Sequence, residues 1–320
     1  MEVEIVDRLS PAFDELALRS PDATFYHTTV WLESLSRAFP AMGFRCLVAK
    51  SRSEIVGYLP FFELKKGPLV AVWSLPFGTY GGPVARGDDE VRRFLVEAYA
   101  GLKKVRAVHE IGLVDFSNRV ETGVFDVEET STHLVDLAGG FERIWEGVFE
   151  KSKRRQTRKA MKEGLTVAET RSAGDVSMYY DIYAGRVDAW RERFRYPRRL
   201  FADLVAGGAG NVRLFLARRG DDLLGGHLNF YFKGSVVAWN GVVRDTADGT
   251  QASTLLYAEC LRHACENGYR AYNLGSSLGK RSLVDYKESL GGVAYRYRTL
   301  RWRSAAGKLA GTVRKIVSRR

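Results

Sequence analysis

The stretch Tyr272-Asn-Leu-Gly-Ser-Ser277, followed through Asp285-Tyr286 by Lys287-Glu-Ser-Leu-Gly-Gly292, decides the reading of this chain. An amphipathic helix over 252–267 precedes it, and a strand over 235–243 precedes that helix. The order is strand, helix, short strand, then a Tyr-Lys pair beside two glycines. Upstream, 212–218, 223–232 and 235–243 form an antiparallel meander with Arg219-Gly-Asp-Asp222 and Lys233-Gly234 as hairpin turns. Before the meander the pattern predicts one long helix over 141–162, ended by Gly164, and further helices over 176–193 and 197–205. Strands at 271–274 and 294–302 complete this half.

The first half follows the same order. Trp31, Leu32, Leu35 and Phe39 fall at helical spacing behind Thr28 or Thr29. A hairpin follows over 45–49 and 54–62, then a strand over 70–75, a helix over 88–104 and a strand over 108–114. No residue-level repeat links the halves, so the duplication rests on element order alone. The expected division is 1–138, 139–304 and a basic amphipathic tail over 305–320.

A length of 320 residues favours two domains, and 45% hydrophobic with 12% aromatic residues excludes global disorder. Cys46, Cys260 and Cys265 lack zinc or redox spacing, so reduced cysteines in a cytoplasmic protein are expected. No run approaches the roughly 20 apolar residues of a membrane span, and the acidic start Met1-Glu-Val-Glu4 is unlike a signal peptide. The net charge of +11 is concentrated. Residues 151–162 and 301–320 each hold seven Lys/Arg and no acid, which leaves the rest of the chain at −3. Such clusters point to a phosphate-bearing partner: a nucleotide, CoA, tRNA or an anionic lipid surface. In the tail, Leu309, Val313, Ile316 and Val317 make an apolar stripe among cations. That is the pattern of a helix lying peripherally on the inner face of a membrane, the alternative being a frayed or docked terminus.

No Gly-x-Ser-x-Gly elbow, Cys–His arrangement or Walker loop supports a hydrolase or an NTPase. The five histidines make no constellation with carboxylates or cysteines, so no metal is expected.

Six segments carry a resemblance. They are Phe25-Tyr-His-Thr-Thr-Val-Trp-Leu-Glu-Ser-Leu35, Ile55-Val-Gly-Tyr-Leu-Pro-Phe-Phe62, Ser74-Leu-Pro-Phe-Gly-Thr-Tyr-Gly-Gly-Pro83, Arg154-Arg-Gln-Thr-Arg-Lys-Ala-Met-Lys-Glu-Gly164, Leu224-Gly-Gly-His-Leu228 and Tyr286-Lys-Glu-Ser-Leu-Gly-Gly292. Taken in order, the chain resembles the Fem-type aminoacyltransferases and their broader FemAB-like, GNAT-type acyltransferase relatives. The resemblance spans about 20–300 and implies an α+β fold of two tandem GNAT-like domains, each a mostly antiparallel sheet flanked by helices. It implies transfer of an acyl or aminoacyl group to an amine, with acyl-CoA or aminoacyl-tRNA as donor substrate and no permanently bound cofactor. Leu35 stands where cell-wall members have a Lys, which argues against a nucleotide-linked peptidoglycan acceptor.

Amine acylation requires stabilisation of a developing oxyanion and loss of an acceptor proton. Lys287, beside Gly291-Gly292 where backbone can approach a ligand closely, is the expected source of positive charge. Tyr286, Asp285, Glu259 and Asp115 are candidate bases, with Tyr286 and Lys287 taken as the catalytic pair. The segment 241–253 occupies the place of a phosphate-binding turn at a helix N-terminus. Trp239 and Asn240 would border the donor, and Arg154 and Arg158 would meet its phosphates. Arg186 and Arg191 resemble the family's acceptor-facing arginine. His227 reads as a structural strand histidine. The function expected is an N-acyltransferase acting on an amine of a cell-envelope or metabolite precursor. The alternative is a non-catalytic RNA-binding protein using the basic helix 151–162.

Overall fold

The computed structural model describes residues 1–308 except 122, 193, 245, 246, 248, 278 and 306, and leaves out the Lys66 side chain. From residue 309 onward the expected basic tail lies outside the described residues. Compactness divides the chain into two units, Met1–Thr130 with Arg296–Arg320, and Ser131–Tyr295. The expected divisions were at 138 and 304; the difference arises inside two strands that each begin in one unit and end in the other.

Unit 1 contains β1 (Glu2–Val6), α1 (Pro11–Arg19), α2 (Thr29–Ala38), β2 (Met42–Ser51), β3 (Glu54–Lys66), β4 (Leu69–Ser74), β5 (Val84–Ala85), α3 (Asp89–Gly101), β6 (Val108–Asp115) and the start of β7 (Asp126–Asp136). Its strands are ordered β1-β2-β3-β4-β6, antiparallel except for the parallel pair β4/β6. Thr28 caps α2 by accepting from Trp31 N, which buries Trp31, Leu32 and Leu35 as their spacing demands. Leu59, Phe61, Val72, Leu95, Tyr99 and Ile111 form the core beneath α3. The parallel pair here is zipped along five positions, Val70↔Val108 to Ser74↔Leu113. The loop after it folds back: Gly81 N donates to Val114 O at 3.0 Å, and Ser74 Oγ donates to Pro60 O at 2.9 Å.

Unit 2 takes the rest of β7, then α4 (Gly140–Arg143), α5 (Lys151–Lys162), β8 (Leu165–Thr170), α6 (Ala173–Ala189), α7 (Arg198–Gly207), β9 (Val212–Arg219), β10 (Asp222–Phe232), β11 (Ser235–Val243), α8 (Ala252–Glu266), β12 (Ala271–Ser276), α9 (Arg281–Ser289) and the start of β13 (Val293–Arg303). The strand order is β7-β12-β11-β10-β9-β8, antiparallel except β11/β12. Strand β10 is buried from Leu223 to Phe232, the mark of a central strand covered on both faces. Helices α6 and α8 both pack on it. The meander is as the hydrophobic pattern predicts.

The long helix expected over 141–162 is interrupted. Phe141, Trp145 and Phe149 stack in succession at 5.8 and 5.7 Å, as helical spacing requires. However, Ile144–Val148 form a π-turn, Phe149 leaves helical geometry, and Glu150 N donates to Ser289 O at 3.0 Å before α5 begins. Helices α1 and α9 and strands β1, β5, β7 and β8 carry no assignment in the sequence pattern.

Asp115 closes unit 1. It is 1% exposed, accepts from Arg298 Nη2 at 2.6 Å on β13, and accepts from Val120 N at 3.0 Å. This role fixes a loop and leaves no free carboxylate for proton abstraction. Asp115→Ala should destabilise the protein by about 3 kcal/mol or more, since it strips a buried partner from Arg298. An unchanged urea midpoint would show that the pair is dispensable.

Candidate active site of the second unit

The site begins where two parallel strands part. Ser235, Val236 and Val237 are in register with Ala271, Tyr272 and Asn273, and there the pairing ends. Strand β11 stays bound to β10, with Asn229 opposite Ala238 and Leu228 opposite Asn240, so Trp239 is an extra, bulged residue. A bulge bends its strand and raises its twist, which turns β11 away from β12. Strand β12 stays with β7 instead, through Asn273↔Leu134 and Ser276↔Thr132. Gly275 lies between those pairs at φ +78°, a left-handed position that suits glycine. The result is a wedge in the sheet that opens past Ala238 on one side and Leu274 on the other.

Lys287 on α9 closes one rim of this wedge. Its Nζ donates to Gly275 O at 2.6 Å and to Ser276 O at 2.9 Å. The residue is 5% exposed, and burial pulls its ammonium down to about 8. An ammonium has three donors, so one hydrogen remains beyond those two carbonyls. Lys287 is thus a buried lysine in the last turn of a helix.

His133 on β7 stands beside it. Its ring is buried with no hydrogen-bond partner at either nitrogen among the described residues, and Nε2 is 4.0 Å from Glu288. Burial, and then the Lys287 charge, lower its pKa, while Glu288 opposes them. Gly291 and Gly292 serve packing here and do not offer backbone to a ligand, as the sequence reading had them do. A Cβ on Gly291 would lie 2.0 Å from Val148, and one on Gly292 would lie 2.8 Å from both Leu274 and Lys287 O.

Tyr286 joins three helices. Its hydroxyl sits 3.2 Å from Ser253 Oγ and 3.3 Å from Thr254 Oγ1 in the first turn of α8. Thr254 in turn donates to Gln156 of α5 at 3.3 Å. The ammonium of Lys153, also on α5, lies 4.5 Å over the Tyr286 ring. Burial raises the Tyr286 pKa, so the phenol stays protonated at neutral pH, and burial lowers that of Lys153.

The other sequence candidates are placed as follows. Trp239 packs among Phe230, Phe201 and Tyr196 at 5.1–5.2 Å. Asn240 accepts the Tyr179 hydroxyl of α6 at 2.6 Å through Oδ1. The Arg186 guanidinium lies 4.8 Å over Trp190, and Arg191 is exposed at φ +55° just past α6. Arg154 donates to Glu146 Oε2 at 2.9 Å and to the carbonyls of Trp145 and Glu146. Arg158 is exposed, 5.6 Å over the Trp145 ring. Asp285 pairs with Arg281 at 2.8 Å, and Glu259 with Arg262 at 3.4 Å. The structure therefore sets Lys287 with His133 and the end of β12, and Tyr286, the preceding residue of α9, with Lys153, Gln156, Ser253 and Thr254. Lys153 and Gln156 lie in the basic segment and Ser253 in the expected phosphate turn, whereas Thr254 and His133 lack a sequence signal, because each is a common residue made special only by its neighbours. In the expected phosphate turn, residues 245, 246 and 248 lie outside the described residues. No group of His, Cys, Asp and Glu able to hold a metal occurs among the described residues.

Residues 149–288, most of this unit, match the family model of the acetyltransferase (GNAT) domain. The second unit is GNAT-like over that segment. Solved structures extend the likeness to the whole chain. The structure of FemX matches with a TM-score of 0.71 at 12% identity, covering 92% of this chain and 96% of that one. The C-terminal domain of a putative lysylphosphatidylglycerol synthetase from Agrobacterium fabrum gives 0.65 at 13% identity, covering 95% and 97%. A tandem GNAT protein from the clavulanic acid biosynthesis pathway gives 0.54 at 15% identity, covering 94% and 98%. At such identities these likenesses concern the fold, which is the FemAB-like α+β arrangement of two GNAT-like domains. A search of the curated proteins finds no match.

His227 tests the electrostatics of the GNAT unit. It is buried against Tyr257 at 4.2 Å, and burial alone drives its pKa down to about 3. The unfolded chain takes up this proton near pH 6.5 and the folded chain only near 3. Stability should therefore be full above about pH 6.5 and fall on acidification toward 3. His227→Gln should flatten that slope of the urea midpoint against pH. An identical slope in the variant would exclude His227 as its source.

Proposed function

We propose that this protein is an N-acyltransferase that moves an acyl or aminoacyl group from a thioester or aminoacyl-tRNA donor to an amine of a cell-envelope or metabolite precursor. The observation that carries the reading is the wedge between β11 and β12, edged by a buried cationic lysine, inside the segment that matches the GNAT family. In such a wedge, strand N–H groups lack a ladder partner and can receive a donor carbonyl oxygen.

The acceptor nitrogen attacks the carbonyl carbon, the π electrons move to oxygen, and the oxyanion is stabilised by backbone N–H groups and the Lys287 charge. Collapse re-forms the carbonyl and breaks the bond to the donor sulfur or ester oxygen. Tyr286, held protonated by burial, supplies a proton to that leaving atom and is reprotonated through water, which takes up the proton that the attacking nitrogen loses. The donor's phosphates meet the N-terminus of α8, where free N–H groups and the helix dipole favour anions. Helix α5, beside that terminus through the Gln156–Thr254 contact, adds its exposed cations Arg155 and Arg158.

The decisive assay offers acetyl-CoA or aminoacyl-tRNA with a panel of amines and reads the mass added to the amine. Transfer should occur with one donor class. RNA binding that weakens steeply with salt, with no transfer and no sensitivity at Lys287, would instead establish a binding protein.

Lys287→Ala should lower kcat/KM by on the order of 10²-fold. In the wild type, kcat/KM should fall as pH rises through about 8, because the ammonium is lost there. Lys287→Arg, which keeps its charge, should remove that limb. A falling limb that persists unchanged in Lys287→Arg would mean that Lys287 is not its source.

Replacing Arg155 and Arg158 together with Glu should raise KM for the phosphate-bearing donor and change kcat less, as expected for uniform binding. If KM holds, α5 is only a solvated face.

A further inference from the structure

Unit 1 holds a cavity of about 540 Å³ along α3 that the transfer chemistry does not use. That size falls within the roughly 300–1,000 Å³ of small-molecule sites. Its ends differ in chemistry. Asp89, Arg92 and Arg119 line it near the start of α3, and Val96, Ala100, Val124 and Phe125 line it farther along; Arg93, Glu97 and Glu121 also stand in its wall, Arg93 pairing with Glu121 at 4.0 Å.

At the charged end, two guanidinium groups share two carboxylates. Arg92 pairs with Asp22 at 2.9 Å and with Asp89. Arg119 pairs with the same two, at 3.3 Å to Asp22 and 3.4 Å to Asp89. The carboxylates are not equivalent: the Asp22 side chain is 9% exposed and that of Asp89 68%. Asp22 is thus the fixed counterion, whereas Asp89 sits at the mouth and can turn to water at little cost.

We infer that Asp89 stands in the place of a ligand's carboxylate, and that this cavity binds a small amphipathic carboxylate with its head on Arg92 and Arg119 and its chain along Val96, Ala100 and Phe125. Exchanging one carboxylate for another preserves the charge balance of the cluster. The planar forks of two arginines suit that group better than an alcohol or an amide. The first turn of α3 adds a favourable dipole for a negative head. Beyond the head, Val124 is 44% exposed, so an alkyl or aryl chain would cover apolar surface that water now touches. From Arg92 to Ala100 the helix rises about 12 Å, which suits a medium-length chain.

Titration calorimetry of the full chain with octanoate tests this, independently of any acyl transfer. Octanoate should bind, and Arg119→Ala should weaken it at least about tenfold, as loss of a charged hydrogen-bond partner does. Asp89→Asn should tighten binding several-fold, because the internal competitor loses its charge. Ala100→Phe, which fills the chain end and leaves the ion pairs intact, should abolish binding and guards against a folding artefact at Arg119. Failure of octanoate to bind would overturn the inference. So would equal binding by the Ala100→Phe variant, weaker binding by Asp89→Asn, or binding of octylamine as tight as that of octanoate.

Discussion

Everything in the candidate site depends on one short failure of strand pairing. Strands β11 and β12 hold register over three residues and then separate, because the bulge at Trp239 turns β11 toward β10 while β12 follows β7. The bulge is costly in ladder hydrogen bonds, and its neighbours hold it in place. Trp239 is clamped among Phe201, Phe230 and Tyr196, and Asn240 is held by the Tyr179 hydroxyl. The first unit shows the alternative outcome of the same strand order. There β4 and β6 stay paired to Ser74 and Leu113, and the Trp73 ring covers Gly112 so closely that an added Cβ would meet it at 2.6 Å. A parallel pair that stays zipped offers no unpaired amides to a carbonyl. This difference is the structural ground on which the proposed chemistry is assigned to the second unit.

Once the wedge is open, the carbonyls at the end of β12 need a donor, and Lys287 provides it. Burying an ammonium is unfavourable unless it is hydrogen-bonded, and two carbonyls only partly offset the lost hydration. The depressed pKa of Lys287 measures the remainder. The same burial surrounds the lysine with groups that respond to it: His133 is held neutral partly by its charge, and Glu288 opposes that effect. The glycine pair after α9 keeps this arrangement compact, since any side chain there would strike Val148 or Leu274. On the proposed reading, a residue that braces the strand end and remains cationic near neutral pH joins scaffold and chemistry in one atom.

The sequence made the long periodic elements legible because burial of one face dictates their spacing. The meander 212–243, the helix after it and α2 with Trp31, Leu32 and Leu35 are of this kind. Where the reading went astray, a contact distant in sequence overrode a local pattern. Phe141, Trp145 and Phe149 have helical spacing, yet a π-turn and the bond from Glu150 N to Ser289 O break the helix between them and α5. Helix α9 has no side-chain cap and is mostly polar, so nothing local announced it, although it carries both Tyr286 and Lys287. The choice of those two residues was available from the motif around them. Their partners Thr254 and His133 were not, because a hydroxyl or an imidazole acquires its role only from what folding sets beside it.

The charge count shows the same limit in a form that constrains the partner. As sequence, the seven cations of 151–162 are equivalent and suggest a uniformly basic helix. In the folded chain they separate into different tasks. Lys153 is partly buried over Tyr286, Arg154 is tied to Glu146 and two carbonyls, and Lys159 pairs with Glu163 at 3.6 Å. Arg155 and Arg158 face solvent, with Lys151 and Lys162 at the two ends. A partner reading this helix from outside therefore meets fewer charges than the sequence offers, arranged on the face of α5 opposite the one that Gln156 turns to Thr254 of α8. Long-range attraction for a nucleic acid scales with the number of cations brought to the phosphates. The smaller set left on the outer face of α5 is a weaker basis for gripping a long backbone than the seven cations of the sequence suggest.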